Sequence, residues 1–461
     1  MPGIRRLFSL DRTLALVALL LGLLGCSASQ PPTRPATARA VNPPPTTTRF
    51  TPPNVTPVPA QLMLGIDVLE STGFAAVKGK RLGLLTHPAG VNRNGISTID
   101  VLLRSRQSKL VALFGPEHGI YGNEKAEVLI PNRTDPRTGL PVYSLYGKNR
   151  RPTKEMLQGL HAMVIDLQDV GTRSYTYVSA MKWTMEACFQ HNVEVIVLDR
   201  PNPLGGIKVS GPLLDAKYST NNYVGAFRVP YVHGLTIAEL ARIAKELPGV
   251  LAIPETARAN GRLTVVPMRG WRRNMRWPET GLQWIPTSPM VQDFSAVIGY
   301  AMVGLGTYLD PRVGFDIGFR HGVGNHYAFR GLSHKTVKSD VLERELRQLD
   351  IPGIGFRRVS VPGRDGKPAT GVFVEVNDWD DWDPTALSFH LMVMGCRFDR
   401  KNPFAVTDTA ASGFLRHMGS EEFFRTLQRN GAQTNVTAWI AEWQRRGQNY
   451  RKASQRYWLY Q

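Results

Sequence analysis

Absences narrow the reading first. Cysteine is nearly missing, with three in 461 residues. Set Cys26 aside and only Cys188 and Cys396 remain, two distant thiols that make no disulfide framework. Both are expected to be buried and free. No Cys/His spacing resembles a zinc site, so no metal is expected. No Gly-x-Gly-x-x-Gly turn, Gly-Lys-Ser/Thr phosphate loop or Gly-x-Ser-x-Gly elbow occurs, which argues against dinucleotide, nucleoside triphosphate and serine-hydrolase chemistry. No cofactor is expected either. Acidic residues are scarce, 37 against 56 Lys and Arg, for a formal charge of +19. Such a surplus suits an acidic partner: nucleic acid, anionic lipid or an anionic polymer.

The N-terminus chooses among these. Arg5, Arg6 and Arg12 precede an apolar run, Thr13 to Leu24, too short to span a bilayer comfortably. It leads into Leu23-Leu24-Gly25-Cys26-Ser27, the pattern of a secretory signal whose end resembles a bacterial lipobox. Residues 1–26 are therefore expected to be a lipoprotein signal, with Cys26 lipidated and the membrane reached through that anchor. Ser27 after Cys26 resembles cargo of the outer membrane, facing the periplasm. Removing the signal leaves a charge of +17. Export argues against nucleic acid and leaves the anionic envelope as the partner.

Residues 27–61 are rich in Pro, Thr, Ser and Ala and read as an extended tether. After that, apolar runs alternate with helical stretches. Runs at 81–86, 109–114, 162–167, 193–199 and 263–268 read as buried strands. Residues 97–105, 156–160, 177–191 and 235–247 read as helices, the last with Thr236 as N-cap. Uniformly apolar strands separated by helices imply a doubly wound α/β domain, a Rossmann-like parallel sheet covered on both faces, over residues 62–292. Residues 293–461 read as a second, smaller α+β domain. In it, 371–376 is a strand, and 294–302, 340–350, 386–394, 420–430 and 436–446 are helices.

In open parallel sheets ligands bind beyond the carboxyl ends of the strands. The second run there delivers Glu117 and His118 within Gly115-Pro116-Glu117-His118-Gly119. The third delivers Asp166, Gln168 and Asp169, then Arg173 and Tyr175. The fourth delivers Asp199, Arg200 and Asn202, and His233 precedes the helix at 235–247. Glutamate is a poor turn residue, which singles out Glu117. An Asp behind a buried strand is as often a turn former or cap, which applies to Asp166 and Asp199. Carboxylates, amides, an arginine and a tyrosine on one rim suit acid/base chemistry on a polyhydroxylated substrate.

The blocks at 114–119, 166–171, 172–177 and 199–203, with Val232-His233-Gly234-Leu235-Thr236 and the ending around Tyr457-Trp458-Leu459-Tyr460, resemble the exo-β-N-acetylmuramidase family. The resemblance implies a glycosidase that releases N-acetylmuramic acid from the non-reducing ends of peptidoglycan fragments. It implies a cleft between the two domains, with Glu117 as the acid. Asp169 would serve as the second carboxylate, and His118 and Arg173 would bind the lactyl carboxylate. Gln168, Tyr175, Asp199, Asn202 and His233 complete the expected substrate contacts. Retention, inversion and catalysis assisted by the substrate's N-acetyl group are all compatible with these residues. One departure stands out: Leu305 takes the place of a family glutamate, with Asp310 and Asp316 as candidate substitutes. That departure admits an alternative, a non-catalytic or altered-specificity lipoprotein that binds peptidoglycan or muropeptide glycans.

Overall fold

The computed structural model describes residues 62–122, 133–305, 315–363 and 366–461. The expected signal, Cys26, the tether and Asp310 lie outside the described residues.

A run that is apolar at every position can be hidden only by covering both faces of its strand. That is what happens to β1 (Arg81–Thr86), β2 (Lys109–Gly115), β5 (Ala162–Asp166) and β6 (Glu194–Leu198), joined by β7 (Leu263–Val266). Two further strands, β3 (Arg133–Thr134) and β4 (Pro141–Ser144), extend the sheet, in the order β3-β4-β2-β1-β5-β6-β7. Pairing is parallel except between β3 and β4. The sheet is therefore mixed, not purely parallel. The reversal comes from a tight turn in which Gly139, at φ 71°, donates its N–H to Asp135 O and Asp135 N–H donates to Leu140 O. Antiparallel neighbours need only such a turn, whereas parallel ones need a crossover.

Side chains alternate across the sheet and define two cores. Leu82, Leu84, Leu113, Val164 and Ile196 pack with α1 (Gly65–Ser71) and α2 (Thr98–Arg104). Leu85, Phe114, Ile165, Val195 and Val197 pack with α3 (Lys154–Leu157), α4 (Thr176–Gln190) and α5 (Ile237–Glu246). Each such aliphatic side chain stabilises the fold by about 1.5–3 kcal/mol when fully buried. Short α6 (Glu255–Asn260) lies against α4. Thr236 caps α5 by accepting from Glu239 N, and Glu239 answers at Thr236 N, a full capping box. The strand order turns back between β1 and β5, the position where open α/β sheets place ligands.

A second, antiparallel sheet has the order β10-β11-β9-β8: β8 (Phe319–His321), β9 (Gly331–His334), β10 (Ile354–Pro362) and β11 (Pro368–Val376). With it go α7 (Phe294–Val303), α8 (Ser339–Arg347), α9 (Ala386–Phe398), α10 (Asp408–Met418), α11 (Glu421–Asn430) and α12 (Val436–Ser454). Phe389, Phe423 and Trp443 interlock at centroid distances of 4.2–5.3 Å and lock α9, α11 and α12 together. Cys188 and Cys396 are buried and free.

The chain's last residues return to the first sheet. Tyr460 donates to Asp199 at 2.5 Å and accepts from Met268 N at 2.9 Å. Leu459 N donates to Glu239, and Trp458 lies 3.8 Å from the Arg273 guanidinium.

Candidate active site at the strand ends

β2 ends in a turn closed by Gly119 N–H donating to Pro116 O at 3.0 Å. A Cβ on Gly115 would come within 3.1 Å of Gly119, tighter than ordinary packing, so glycine eases so close a return. His118 sits at φ 70°. A left-handed non-glycine residue costs about 1–3 kcal/mol, and such strain gathers at functional sites. Glu117 is half-buried at this turn and accepts from Thr176 Oγ1 at 2.9 Å. Thr176 opens α4, so the second and third strand ends meet at Glu117.

Asp169 arrives from behind β5. It is buried, its Oδ2 accepts from Gly171 N at 2.8 Å, and its Oδ1 has no hydrogen-bond partner. His233 Nε2 lies 3.5 Å from Oδ2. His233 Nδ1 accepts from Leu235 N at 3.1 Å, so the neutral ring carries its proton on Nε2, which has no hydrogen-bond partner among the described residues.

Tyr300 of α7 joins the two acids. Its phenol lies within electrostatic reach of both Glu117 and Asp169, and burial first, then these charges, push it up to about 12. Its oxygen is 3.2 Å from Ser174 Oγ, which donates to Tyr231 at 2.9 Å. Tyr177 and Tyr223 also feel Glu117, and burial foremost raises both phenols. Burial keeps these phenols protonated at neutral pH; Tyr177 donates its proton to Thr287 O, and the Tyr223 oxygen has no hydrogen-bond partner among the described residues. Sequence reasoning missed Thr176, Tyr177, Tyr223 and Tyr300. The first two directly follow Tyr175, so only the third-strand motif could have flagged them.

The other expected contacts are spent on scaffold. Arg173 is wholly buried; Nη1 donates to Pro212 O and Val229 O, and Nη2 to His417 O and Met418 O. It clamps main chain and has no face for a lactyl group. Asp199 accepts from Thr236, Ala238 N and Tyr460, with no exposure. Burial, outweighing these donors, pushes its carboxyl up to about 7. It holds the start of α5 instead of a sugar. Asn202 bridges Leu235 O and Leu204 N, both in main chain. Tyr175 donates to Thr287 at 2.7 Å and packs edge-on against Tyr300. Gln168 donates to Asp169 O and Pro201 O, while its Oε1 has no partner. Asp166 is bound by Arg200 at 2.5 and 2.9 Å.

His87, missed in the sequence, lies behind the site. It accepts from Gln168 N at 2.9 Å, and burial, then Arg200 and His118, hold its pKa well below the usual value. At the switch between β1 and β5 a cavity of about 230 Å³ is lined by Asn92, Gln168, Arg200 and Trp277 among others. Asp316 is paired with Arg320 at 2.7 Å, and that bond first holds its carboxyl down at about 2. A carboxylate so firmly ionised is no proton donor at neutral pH. Leu305 is fully buried in the core; next to it, a Cβ on Gly304 would meet Tyr231 Oη at 2.5 Å. Among the described residues no cluster of His, Cys, Asp and Glu could hold a metal, and no helix is long and apolar enough to cross a membrane.

Residues 82–295 match the family model described as exo-beta-N-acetylmuramidase NamZ, N-terminal, and residues 313–460 the one described as its C-terminal counterpart. The peptidoglycan beta-N-acetylmuramidase NamZ of Bacillus subtilis (strain 168) is 34% identical over 414 residues, which span 88% of this chain and 93% of that protein. A crystal structure of a DUF1343 family protein from Bacteroides fragilis NCTC 9343 is 34% identical, with a TM-score of 0.75, covering 89% of this chain and 100% of that one. A second DUF1343 structure from the same organism, 24% identical with a TM-score of 0.63, covers 87% and 99% and carries the fold alone.

Proposed function

The chain belongs to the exo-beta-N-acetylmuramidase NamZ family, and on that premise we propose that it is a glycoside hydrolase releasing N-acetylmuramic acid from the non-reducing ends of peptidoglycan fragments. Glu117 is the general acid. Its proton passes to the glycosidic oxygen as the bond to the anomeric carbon breaks, and the departing sugar leaves as its alcohol. Asp169 faces the positive charge that builds on the muramyl ring and takes the proton of the attacking water. One proton leaves Glu117, one reaches Asp169, and exchange with solvent restores both. His233 flanks Asp169, and the Tyr223 phenol, whose oxygen has no hydrogen-bond partner among the described residues, is the donor for a substrate hydroxyl.

The observation that carries this reading is that Glu117, from the turn after β2, accepts from Thr176 at 2.9 Å, in the same segment behind β5 that carries Asp169. Incubation with a chromogenic N-acetylmuramide and with a muramyl-terminated disaccharide tests it. Release of N-acetylmuramic acid from both by the wild type is expected, with release from the disaccharide nearly lost in Glu117→Gln. No release from either substrate rejects it.

The enzyme belongs at the cell envelope, where its substrate is. The leader pattern supports a finer placement: a lipid on Cys26, an outer-membrane anchor facing the periplasm, and a tether over 27–61. The catalytic lobe then spans 62–292 and the smaller lobe 293–461. Fractionation of cells carrying Cys26→Ser tests the anchor; an unchanged membrane fraction would remove it.

A further inference from the structure

Muramic acid differs from glucosamine by a lactyl ether on O3, and that ether ends in a carboxylate. Arg173 is buried and turned to carbonyls, so another cation must select it. Arg150 is placed to do so. Its guanidinium lies 4.8 Å from the Tyr223 ring centroid and 5.8 Å from that of Tyr146. The two rings are 6.1 Å apart. Tyr223 packs at 5.0 Å against Trp183 of α4, the helix whose first residue, Thr176, donates to Glu117, so one helix links the candidate acid to this cation. The Tyr223 oxygen is buried and has no hydrogen-bond partner.

Around Arg150 runs an open groove of about 540 Å³, lined by Lys148, Asn149, Arg151, Trp183 and Asn221 among others. Arg151 is spent on the buried carboxylate of Glu186 at 2.9 Å. Arg150 and Lys148 are exposed and make no ion pair among the described residues. An exposed arginine is ordinarily a solvated charge worth little. This one lies over the Tyr223 ring, a cation–π contact that restrains a planar fork able to bind a carboxylate with two hydrogen bonds.

We propose that Arg150, with Lys148 beside it, forms the subsite for the substrate's lactyl carboxylate and so selects muramic acid over N-acetylglucosamine. The proposal rests on reading the Glu117 site as a muramidase centre. Its test compares 4-nitrophenyl β-N-acetylmuramide with the corresponding β-N-acetylglucosaminide, using the whole mature chain. Arg150→Gln should lower kcat/KM on the muramide about ten- to a hundredfold, mainly through KM, and leave the glucosaminide unchanged. Arg150→Lys should restore part of the loss. An equal fall on both substrates, or no fall on the muramide, overturns the subsite.

Calorimetry separates this from the muramidase reading itself. Glu117→Gln protein should bind free N-acetylmuramic acid at least about tenfold more tightly than its methyl ester. Adding Arg150→Gln should erase that difference. Equal binding of acid and ester, or none of the acid, overturns the subsite. A wild type inert on every substrate rejects the muramidase reading, and the titration still decides the subsite.

Discussion

His233 Nε2 lies 3.5 Å from Asp169 Oδ2, and neither this nitrogen nor Asp169 Oδ1 has a hydrogen-bond partner among the described residues. The 3.5 Å between Nε2 and Oδ2 is long for a hydrogen bond, but a main-chain amide occupies Nδ1 and fixes the tautomer. Asp169 is left with one oxygen oriented and the other open. An unfilled buried acceptor is rare enough to need a reason, and a site awaiting ligand supplies one. His233 is accordingly a positioning residue. His233→Phe should lower kcat about tenfold with KM little changed and should displace a limb of the pH–rate profile. A fall in melting temperature with an unmoved profile would reduce His233 to packing.

Glu117→Gln should cost about 10²–10⁴-fold in kcat on a muramyl disaccharide, whose leaving alcohol needs a proton. On a 4-nitrophenyl muramide the loss should be far smaller, because nitrophenolate departs unprotonated. Equal losses on the two substrates would deny Glu117 the role of acid. The melting temperature should hardly move, since the half-buried side chain makes one hydrogen bond through Thr176.

Arg173 should behave as scaffold. Arg173→Gln takes this donor from the carbonyls of Pro212, His417 and Met418, while Val229 O keeps Leu214 N. At about 1–3 kcal/mol for each buried polar group left unpaired, the loss should reach at least about 3 kcal/mol in a urea melt. A variant of wild-type stability whose KM for muramides has risen would instead return Arg173 to the substrate.

Asp199 should make stability depend on pH. Its folded pKa, near 7, lies above the unfolded value, so between these the folded state holds the extra proton. Stability is greatest below the unfolded pKa and declines as pH rises toward 7, by about 1.4 kcal/mol per unit from this group. Asp199→Asn, neutral throughout, should flatten the melting curve's pH dependence between pH 5 and 7. Parallel curves for variant and wild type would show that the carboxyl is ionised across that range.

The first sheet was legible because its strands are buried on both faces and so are apolar without a break. β3, β4 and β10 were not. The first two are short and lie near the edge, and β10 mixes Arg357 and Arg358 into its run. α10 was hidden by its small residues, Ala410 to Gly413. At the site, Glu117 could be picked out because glutamate has no business in a glycine–proline turn. Arg173 and Asp199 carried the same chemistry at the same strand ends, yet sequence holds no record of which carbonyls or amides close around them. Arg150 and Tyr223 escaped notice because both lie in irregular segments, where no period marks a side chain's direction.

The hydrogen bond from Tyr460 to Asp199 has a bearing on biosynthesis. The acid behind β6 meets this partner only after 261 further positions of chain have been made. Until then the nascent domain carries an acid lacking one of its donors. Loss of Tyr460 would therefore be felt far away in sequence, at the start of α5, where Asp199 also accepts from Ala238 N.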